Sequence, residues 1–262
     1  MSKLIQRIER LNKDAPAPMG FGAAARRQPM PTMVLLAATA EPEAVANTNG
    51  VALDAVIFRG DGVDGAAAAK AMQALPDVPW GAQANTLSQG EVSALVEAGA
   101  DFVSLTGLTS ALDALRDEDV GKLLVVPVDL KEEHARSLEV MPVDAVVYAD
   151  AVASPLTLEV LMHLATARCE IGRPFLLPVH GALTAWELEC LREIGVEGVV
   201  ADLETTNVEG LQALSDAIRG LPRRKSRGES LSATLPRLGG RARPQHDDDD
   251  DDFDPDDPDD LP

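Results

Sequence analysis

A histidine and an aspartate have the side chains and the positions that acid/base chemistry needs. His180 ends an apolar run and directly precedes Gly181, and its imidazole can exchange a proton near neutral pH. Asp202 lies in the next apolar run, and we interpret it as a general base or as a group that orients His180. Each residue also has a purely structural interpretation. His180 would then be a loop histidine bonded to backbone or solvent, and Asp202 an acid at a helix N-terminus or in a salt bridge.

Four more polar residues end or follow apolar runs and are candidates for substrate binding. Arg59 has forked N–H donors that suit a carboxylate or a phosphate, and its alternative role is a salt bridge to Asp61 or another acid. The other three candidates are Asn85, Thr106 and Asp150. A Schiff-base lysine is not indicated, because Lys131 lies past its run at a helix start, which disfavours a class I aldolase.

The acidic residues near the ends of these runs do not indicate a metal site. Such a site would need Asp129, Asp150, His180, Asp202 and Glu204 to converge, and nothing in their spacing shows this. The sequence also lacks a paired-histidine helix, a cysteine cluster and a glycine-rich nucleotide motif. We therefore predict no metal, and the sequence leaves any cofactor undetermined.

Eight apolar runs carry the candidates, and helical patterns separate the runs. Each run is almost continuously apolar, as expected for parallel strands that are buried on both faces. The stretch between two runs is long enough for a crossover helix. The runs span residues 32–39, 53–59, 79–85, 101–106, 122–129, 144–150, 174–180 and 198–204. This order predicts an α/β fold of the (β/α)₈ TIM-barrel type, with a doubly wound open sheet as the alternative.

An internal repeat favours the barrel. The segments that begin at Glu91 and Glu187 share Glu, Leu, Glu, Gly and Val at an offset of 96 residues. Each segment is preceded by a capping box, with Ser88 before Glu91 and Thr184 before Glu187. Two similar halves of four units would close into one barrel.

Strand alternation predicts which residues face the barrel interior. Residues are counted from the acid that precedes each strand. The residues one, three and five places after this acid have smaller side chains and end in polar residues. The odd positions are Ala55, Ile57, Arg59, Phe102, Ser104, Thr106, Ala145, Val147, Ala149, Gly198, Val200 and Asp202. The bulkier even positions suit packing against helices. We therefore place Arg59, Thr106 and Asp202 at the mouth, the C-terminal end of the strands where barrel active sites lie.

The helix-to-strand joints resemble those of aldolase-type, phosphate-binding TIM barrels. The similar motifs are Glu-Ala-Gly-Ala-Asp-Phe-Val at 97–103, Val-Asp-Ala-Val-Val at 143–147 and Gly-Val-Glu-Gly-Val-Val-Ala-Asp at 195–202. The resemblance implies an isomerase, lyase, synthase or flavin-linked enzyme that acts on phosphorylated or carbonyl compounds. That class usually has glycine-rich phosphate loops after strands 7 and 8. Here the first of these loops has the single glycine Gly181, and the second carries two acids.

The N-terminal residues 1–31 precede the barrel. Leu4, Ile5 and Ile8 fall on one helical face, which predicts a helix packed on the barrel or on a second subunit, with interfacial membrane binding as the alternative. A Pro- and Gly-rich approach segment follows this helix. The barrel itself is predicted to span residues 32–222.

The net charge of −20 is unevenly distributed along the 262 residues. Residues 223–246 carry seven basic side chains and one acid, and residues 247–262 carry eleven Asp. A tail of this composition is predicted to be disordered. It is interpreted as a solubilising tail, or as an arm for a basic protein or divalent cations. The acidic barrel disfavours nucleic acid as a partner of the folded body.

The sequence contains no membrane span and no signal peptide, so a cytoplasmic protein is the default expectation.

Two hypotheses on function follow. The first is a lyase- or isomerase-type enzyme that acts on a small carbonyl or phosphorylated metabolite bound at the barrel mouth. The second is a non-catalytic, degenerate barrel that serves as a binding or assembly scaffold through its charged tail and N-terminal helix. The sequence leaves a homo-oligomer open as a further partner assignment.

Overall fold

Eight parallel strands form one closed sheet, and all eight coincide with the apolar runs of the sequence. The computed structural model describes residues 1–12, 32–128 and 130–222. The strands are β1 (Val34–Thr39), β2 (Ala55–Arg59), β3 (Trp80–Ala84), β4 (Phe102–Leu105), β5 (Gly121–Val126), β6 (Ala145–Tyr148), β8 (Phe175–His180) and β9 (Gly198–Asp202), with a two-residue strand β7 (Val152–Ala153) between β6 and β8. The approach segment, the charged tail and Asp129 lie outside the described residues, so the predictions about them stay predictions.

The sheet closes because each of its eight long strands pairs with two neighbours. β1 is parallel to β2 and also to β9, and β6 pairs with β8. An open doubly wound sheet would leave two edges, so the barrel prediction is confirmed.

The helices are α1 (Lys3–Asn12), α2 (Gly65–Ala71), α3 (Gln89–Glu97), α4 (Glu132–Ser137), α5 (Leu158–Glu170), α6 (Ala185–Glu193) and α7 (Val208–Gly220), with 3₁₀ turns at Pro42–Thr48, Met72–Ala74 and Leu112–Leu115.

The two faces of the strands build two separate apolar clusters. One cluster fills the barrel and contains the predicted inward residues Ala55, Ile57, Phe102, Ala145, Val147 and Val200. The other lies between the sheet and the helices and contains the predicted outward residues Val56, Phe58, Val103, Leu105, Val146, Tyr148, Val199 and Ala201. Strand alternation therefore assigned these faces correctly.

The N-terminal helix α1 contributes to the cluster inside the barrel. Leu4 and Ile8 are fully buried and Ile5 is 8% exposed, and all three belong to that cluster. The carboxylate of Asp101, which precedes β4, accepts hydrogen bonds from the Ser2 hydroxyl at 2.7 Å and from the Lys3 amide at 2.8 Å. These contacts fix α1 on the barrel's own N-terminal end, where the helix closes the interior.

The acids that precede other strands bond the neighbouring strand. Asp54 accepts the Leu35 amide at 2.9 Å, and Asp144 accepts the Lys122 amide at 2.8 Å. Burial raises the pKa of Asp54, although its bond to Leu35 and the charges of Arg7 and Arg219 act in the opposite direction. These acids fix strand positions at the end of the barrel opposite the mouth.

Candidate functional site

A pocket of about 500 Å³ opens at the C-terminal ends of the strands. Of the six predicted site residues, four line it: Arg59, Asp150, His180 and Asp202. Its apolar wall includes Val125, Val147, Pro178 and Val200. The structure thus brings together side chains from β2, β8 and β9 and from the segment that follows β6, as expected for a barrel mouth.

The pocket lies where β6 separates from β8. The two strands pair at Val146–Phe175 and Val147–Leu176, and further up β8 its neighbour is β7. The carbonyl of Pro174 faces β6, so by alternation the backbone of Pro178 faces the same side. Proline has no amide to donate to a ladder. Pro178 therefore lies at the point where β6 no longer pairs with β8. Residues 149–151, which follow β6, line the pocket at this gap between the two strands.

Arg59 and Asp202 form an ion pair on the pocket wall. An Nη atom of Arg59 donates to Oδ2 of Asp202 at 2.9 Å, and the side chains are 30% and 15% exposed. The other carboxylate oxygen of Asp202 accepts the Glu204 amide at 2.8 Å. The alternative of a salt bridge to a nearby acid is thus realised with Asp202 as the partner, and this contact uses one of five guanidinium N–H groups.

The exposed imidazole of His180 is oriented by a threonine. Nδ1 of His180 lies 3.3 Å from the Thr205 hydroxyl, and that hydroxyl donates to the main-chain oxygen of Asp202 at 3.4 Å. A neutral imidazole that donates from Nδ1 to this hydroxyl has an unprotonated Nε2, which is the form that a general base requires.

The last residue of β9 and the loop that follows it connect the mouth ends of three other strands. Asp202 binds Arg59 on β2, Thr205 contacts His180 on β8, and Glu204 accepts the Ala40 amide beyond β1 at 2.9 Å. Thr206 is buried, and its hydroxyl accepts the Gly181 amide at 3.2 Å. Asp202 and the loop after it therefore contact both the cationic candidate and the acid/base candidate.

Asn85 and Thr106 form a separate polar network and are not among the residues that line the pocket. The Thr106 hydroxyl donates to the Asn85 side chain at 2.7 Å, and the Asn85 side-chain amide donates to Asp61 at 3.0 Å. The backbone amide of Asn85 also donates to Asp61 at 3.0 Å. The contacts in this network are between loops, and the substrate-binding role of the two residues stays a prediction.

Two polar residues that line the pocket, Gln83 and Tyr148, escaped sequence reasoning. Gln83 pairs in register with Arg59, and because paired residues of a parallel sheet point to the same face, alternation along β3 would have found it. Tyr148 reaches the pocket although its side chain belongs to the outer cluster. Burial raises the pKa of Tyr148, and the charge of Asp150 raises it further.

Within the described residues, no group of three or more His, Cys, Asp or Glu side chains could hold a metal ion. The same part of the chain contains no helix long and apolar enough to cross a membrane.

Comparison with known proteins finds similarity in structure alone. No protein-family model and no curated protein sequence matches the chain. Thiamine phosphate pyrophosphorylase from Pyrococcus furiosus matches with a TM-score of 0.53 at 14% identity, over 71% of this chain and 95% of that one. Orotidine 5′-phosphate decarboxylase from Pyrococcus horikoshii OT3 matches with a TM-score of 0.53 at 16% identity, over 71% and 100%. The tryptophan synthase A-subunit from Pyrococcus furiosus matches with a TM-score of 0.55 at 12% identity, over 73% and 98%.

At these identities the similarity establishes the fold and not the activity. The chain has the (β/α)₈ barrel fold, as its alternating strands and helices predicted.

Proposed function

We propose that the protein is an enzyme that transfers a proton next to the carbonyl group of a small metabolite, the step that many lyases and isomerases share. The observation that carries the proposal is the presence of His180, Arg59 and Asp202 on one pocket at the mouth. A mouth filled by large side chains would instead have favoured a scaffold. The structural neighbours support an enzyme at the level of fold, since the proteins named above are enzymes or enzyme subunits.

In this proposal, Nε2 of His180 removes a proton from the carbon beside the carbonyl. The bonding electrons move to the carbonyl oxygen, and an N–H group of Arg59 stabilises the negative charge that develops there. The protonated imidazole then returns the proton, at the same carbon or at a neighbouring one. Asp202 is a positioning residue in this scheme, because it holds Arg59 and the main chain that orients Thr205.

The second candidate is a non-catalytic barrel. One observation favours it: polar groups of the loops at the mouth are bonded to one another, as in the contacts of Gly181 with Thr206 and of Ala40 with Glu204. In a scaffold these contacts would only stabilise the loops. The two candidates differ in a measurable property, which is whether the pocket catalyses proton exchange.

Deuterium incorporation tests the proposal with simple carbonyl compounds in place of the natural substrate. Purified full-length protein is incubated in D₂O with a panel of small aldehydes and ketones, and exchange at the carbon beside the carbonyl is followed by NMR. We expect catalysed exchange for at least one compound, and a loss of about a hundredfold or more in His180→Ala. Arg59→Ala should lose about a hundredfold, because the developing charge loses its donor.

His134→Ala is the matched control, since His134 lies in α4 and does not line the pocket. It should keep the exchange rate of the unmodified protein. Exchange that survives in His180→Ala, or that is absent for every compound, would contradict the enzyme and favour the scaffold.

A further inference from the structure

The charge of the mouth pocket is unusual for a site that would bind a phosphate ester. Among the described residues that line it, Arg59 is the one permanent cation, and Asp150 and Asp202 are both acids. Asp202 already neutralises Arg59 through the 2.9 Å ion pair. A phosphate dianion would therefore meet an excess of negative charge.

Backbone amides at the mouth are also engaged. Anion sites in barrels of this fold are commonly built from free amides of the last two strand-to-helix loops and a helix N-terminus. Here the Gly181 amide donates to Thr206, and the Glu204 amide donates to Asp202. At the start of α7, the Gly210 amide donates to the Asn207 side chain at 2.8 Å. Side chains of the protein thus occupy amides that a phosphate would need.

Asp150 differs from Asp202 in having no such partner. Its exposed carboxylate forms no hydrogen bond or ion pair within the described part of the chain, and its charge adds to burial in raising the pKa of the neighbouring Tyr148. An unpaired carboxylate on a pocket wall attracts a cation. An ammonium group is the cation that a small organic metabolite most simply carries.

We infer that the mouth pocket binds a small carbonyl compound that bears an amine, and that it rejects phosphate esters. The ammonium group lies beside Asp150, and the carbonyl oxygen lies toward Arg59. The choice of a carbonyl compound rests on the proposed function, whereas the charge selectivity rests on the pocket alone.

Three probes with one skeleton and different charges test the inference. Aminoacetone, hydroxyacetone and hydroxyacetone phosphate are titrated into the full-length protein, and NMR follows the methyl groups of Val125, Val147 and Val200 in the pocket wall. We expect saturable shifts with aminoacetone, weaker binding of hydroxyacetone, and no saturable shift with the phosphate. Binding of the phosphate as tight as that of aminoacetone, or no binding of any probe, would overturn the inference.

Asp150→Asn should weaken aminoacetone by up to about fivefold and leave hydroxyacetone unchanged, because only the charged probe loses a partner. Asp77→Asn is the matched control, since Asp77 is exposed and precedes β3 at the opposite end of the barrel. Equal effects of the two substitutions on aminoacetone would contradict the role of Asp150.

Asp202→Asn keeps an oxygen that can accept the Glu204 amide but removes the charge that neutralises Arg59. This variant should gain saturable binding of hydroxyacetone phosphate, and a failure to gain it would contradict the assigned cause of the rejection. The order of affinity among the three probes is measured without any reaction. If the expected order is found but no deuterium exchange is catalysed, the proposed reaction is wrong and this inference stands. If the order is reversed but exchange depends on His180, this inference is wrong and the proposed reaction stands.

Discussion

The guanidinium of Arg59 on β2 reaches past the mouth end of β1 and donates to the carboxylate of Asp202 on β9 at 2.9 Å. β2 and β9 are the two neighbours of β1, so this ion pair links the strands on either side of β1. Both side chains are mostly buried, so solvent screens their interaction less than that of a surface pair.

The Arg59–Asp202 pair should show an interaction energy in a double-mutant cycle. Arg59→Ala and Asp202→Asn are combined, and urea unfolding is followed by circular dichroism. We expect a coupling of about 1 kcal/mol, because each single variant leaves a partly buried charge without its partner. Additive effects of the two substitutions would mean that the contact does not contribute to stability.

Asp101→Ala should loosen α1 on the barrel. The carboxylate accepts bonds from Ser2, Lys3 and, at 3.0 Å, the Leu4 amide, which are donors of the first helical turn. Their loss should lower the free energy of unfolding by about 1–2 kcal/mol and speed amide exchange throughout α1. Asp113→Ala changes an exposed acid elsewhere and should leave α1 exchange unchanged. Unaltered exchange in Asp101→Ala would disprove the capping role.

The two capping boxes should differ in strength and in pH dependence. Burial alone would raise the pKa of Glu187, but hydrogen bonds from Leu156, Thr184 and Ser154 outweigh it and hold the pKa below its usual 4.5. The unfolded chain therefore binds this proton more readily than the folded protein does. The stabilisation is present above pH 4.5 and is lost as the pH falls through the folded-state pKa.

Glu187→Gln should consequently lower the free energy of unfolding by about 1–3 kcal/mol at pH 7. This difference from the unmodified protein should shrink as the pH falls below 4.5. Glu91→Gln is the internal comparison, because Glu91 forms the same capping box but is exposed and, among the described residues, bonds Ser88 alone. Glu91→Gln should lower the free energy of unfolding by less than Glu187→Gln does. Urea unfolding of both variants at several pH values checks this, and equal losses would show that the contacts to Ser154 and Leu156 contribute nothing.

Gly81→Ala should destabilise the barrel interior. A Cβ atom at Gly81 would overlap the carbonyl oxygen and ring of Phe102 on the next strand, and both residues lie in the close-packed sheet. We expect a loss of about 1–3 kcal/mol in thermal or urea unfolding. Gly90→Ala, in α3, is the control, because a Cβ there meets nothing within 4 Å and alanine favours a helix. If Gly81→Ala were as stable as Gly90→Ala, the close approach would be absent in solution.

Local patterns in the sequence predicted much of the fold. The eight strands were recognisable because each is buried on both faces and is therefore apolar throughout. The helix starts at Ser88 and Thr184 were recognisable because a capping box needs only residues three positions apart, and both boxes are present. The inward and outward sets followed from alternation, which is fixed by backbone geometry.

The candidate site was only partly predictable. Strand ends identified Arg59, Asp150, His180 and Asp202 as mouth residues, and the structure places all four on one pocket. The partner of Arg59 was not predictable, because β2 and β9 are far apart in sequence and come to lie on either side of β1 only when the barrel forms. The partners of Asn85 and Thr106 depend in the same way on loop contacts across strands.

The sequence by itself therefore determined the eight long strands, their faces and the helix starts at Ser88 and Thr184, because these follow from periodicity and from bonds between near neighbours. The tertiary structure alone decided that α1 closes the barrel's own interior, that β6 leaves β8 at Pro178 to open a pocket, and that Asp202 neutralises Arg59. These features depend on contacts between residues distant along the chain, and such contacts form only when closure of the sheet brings the residues together.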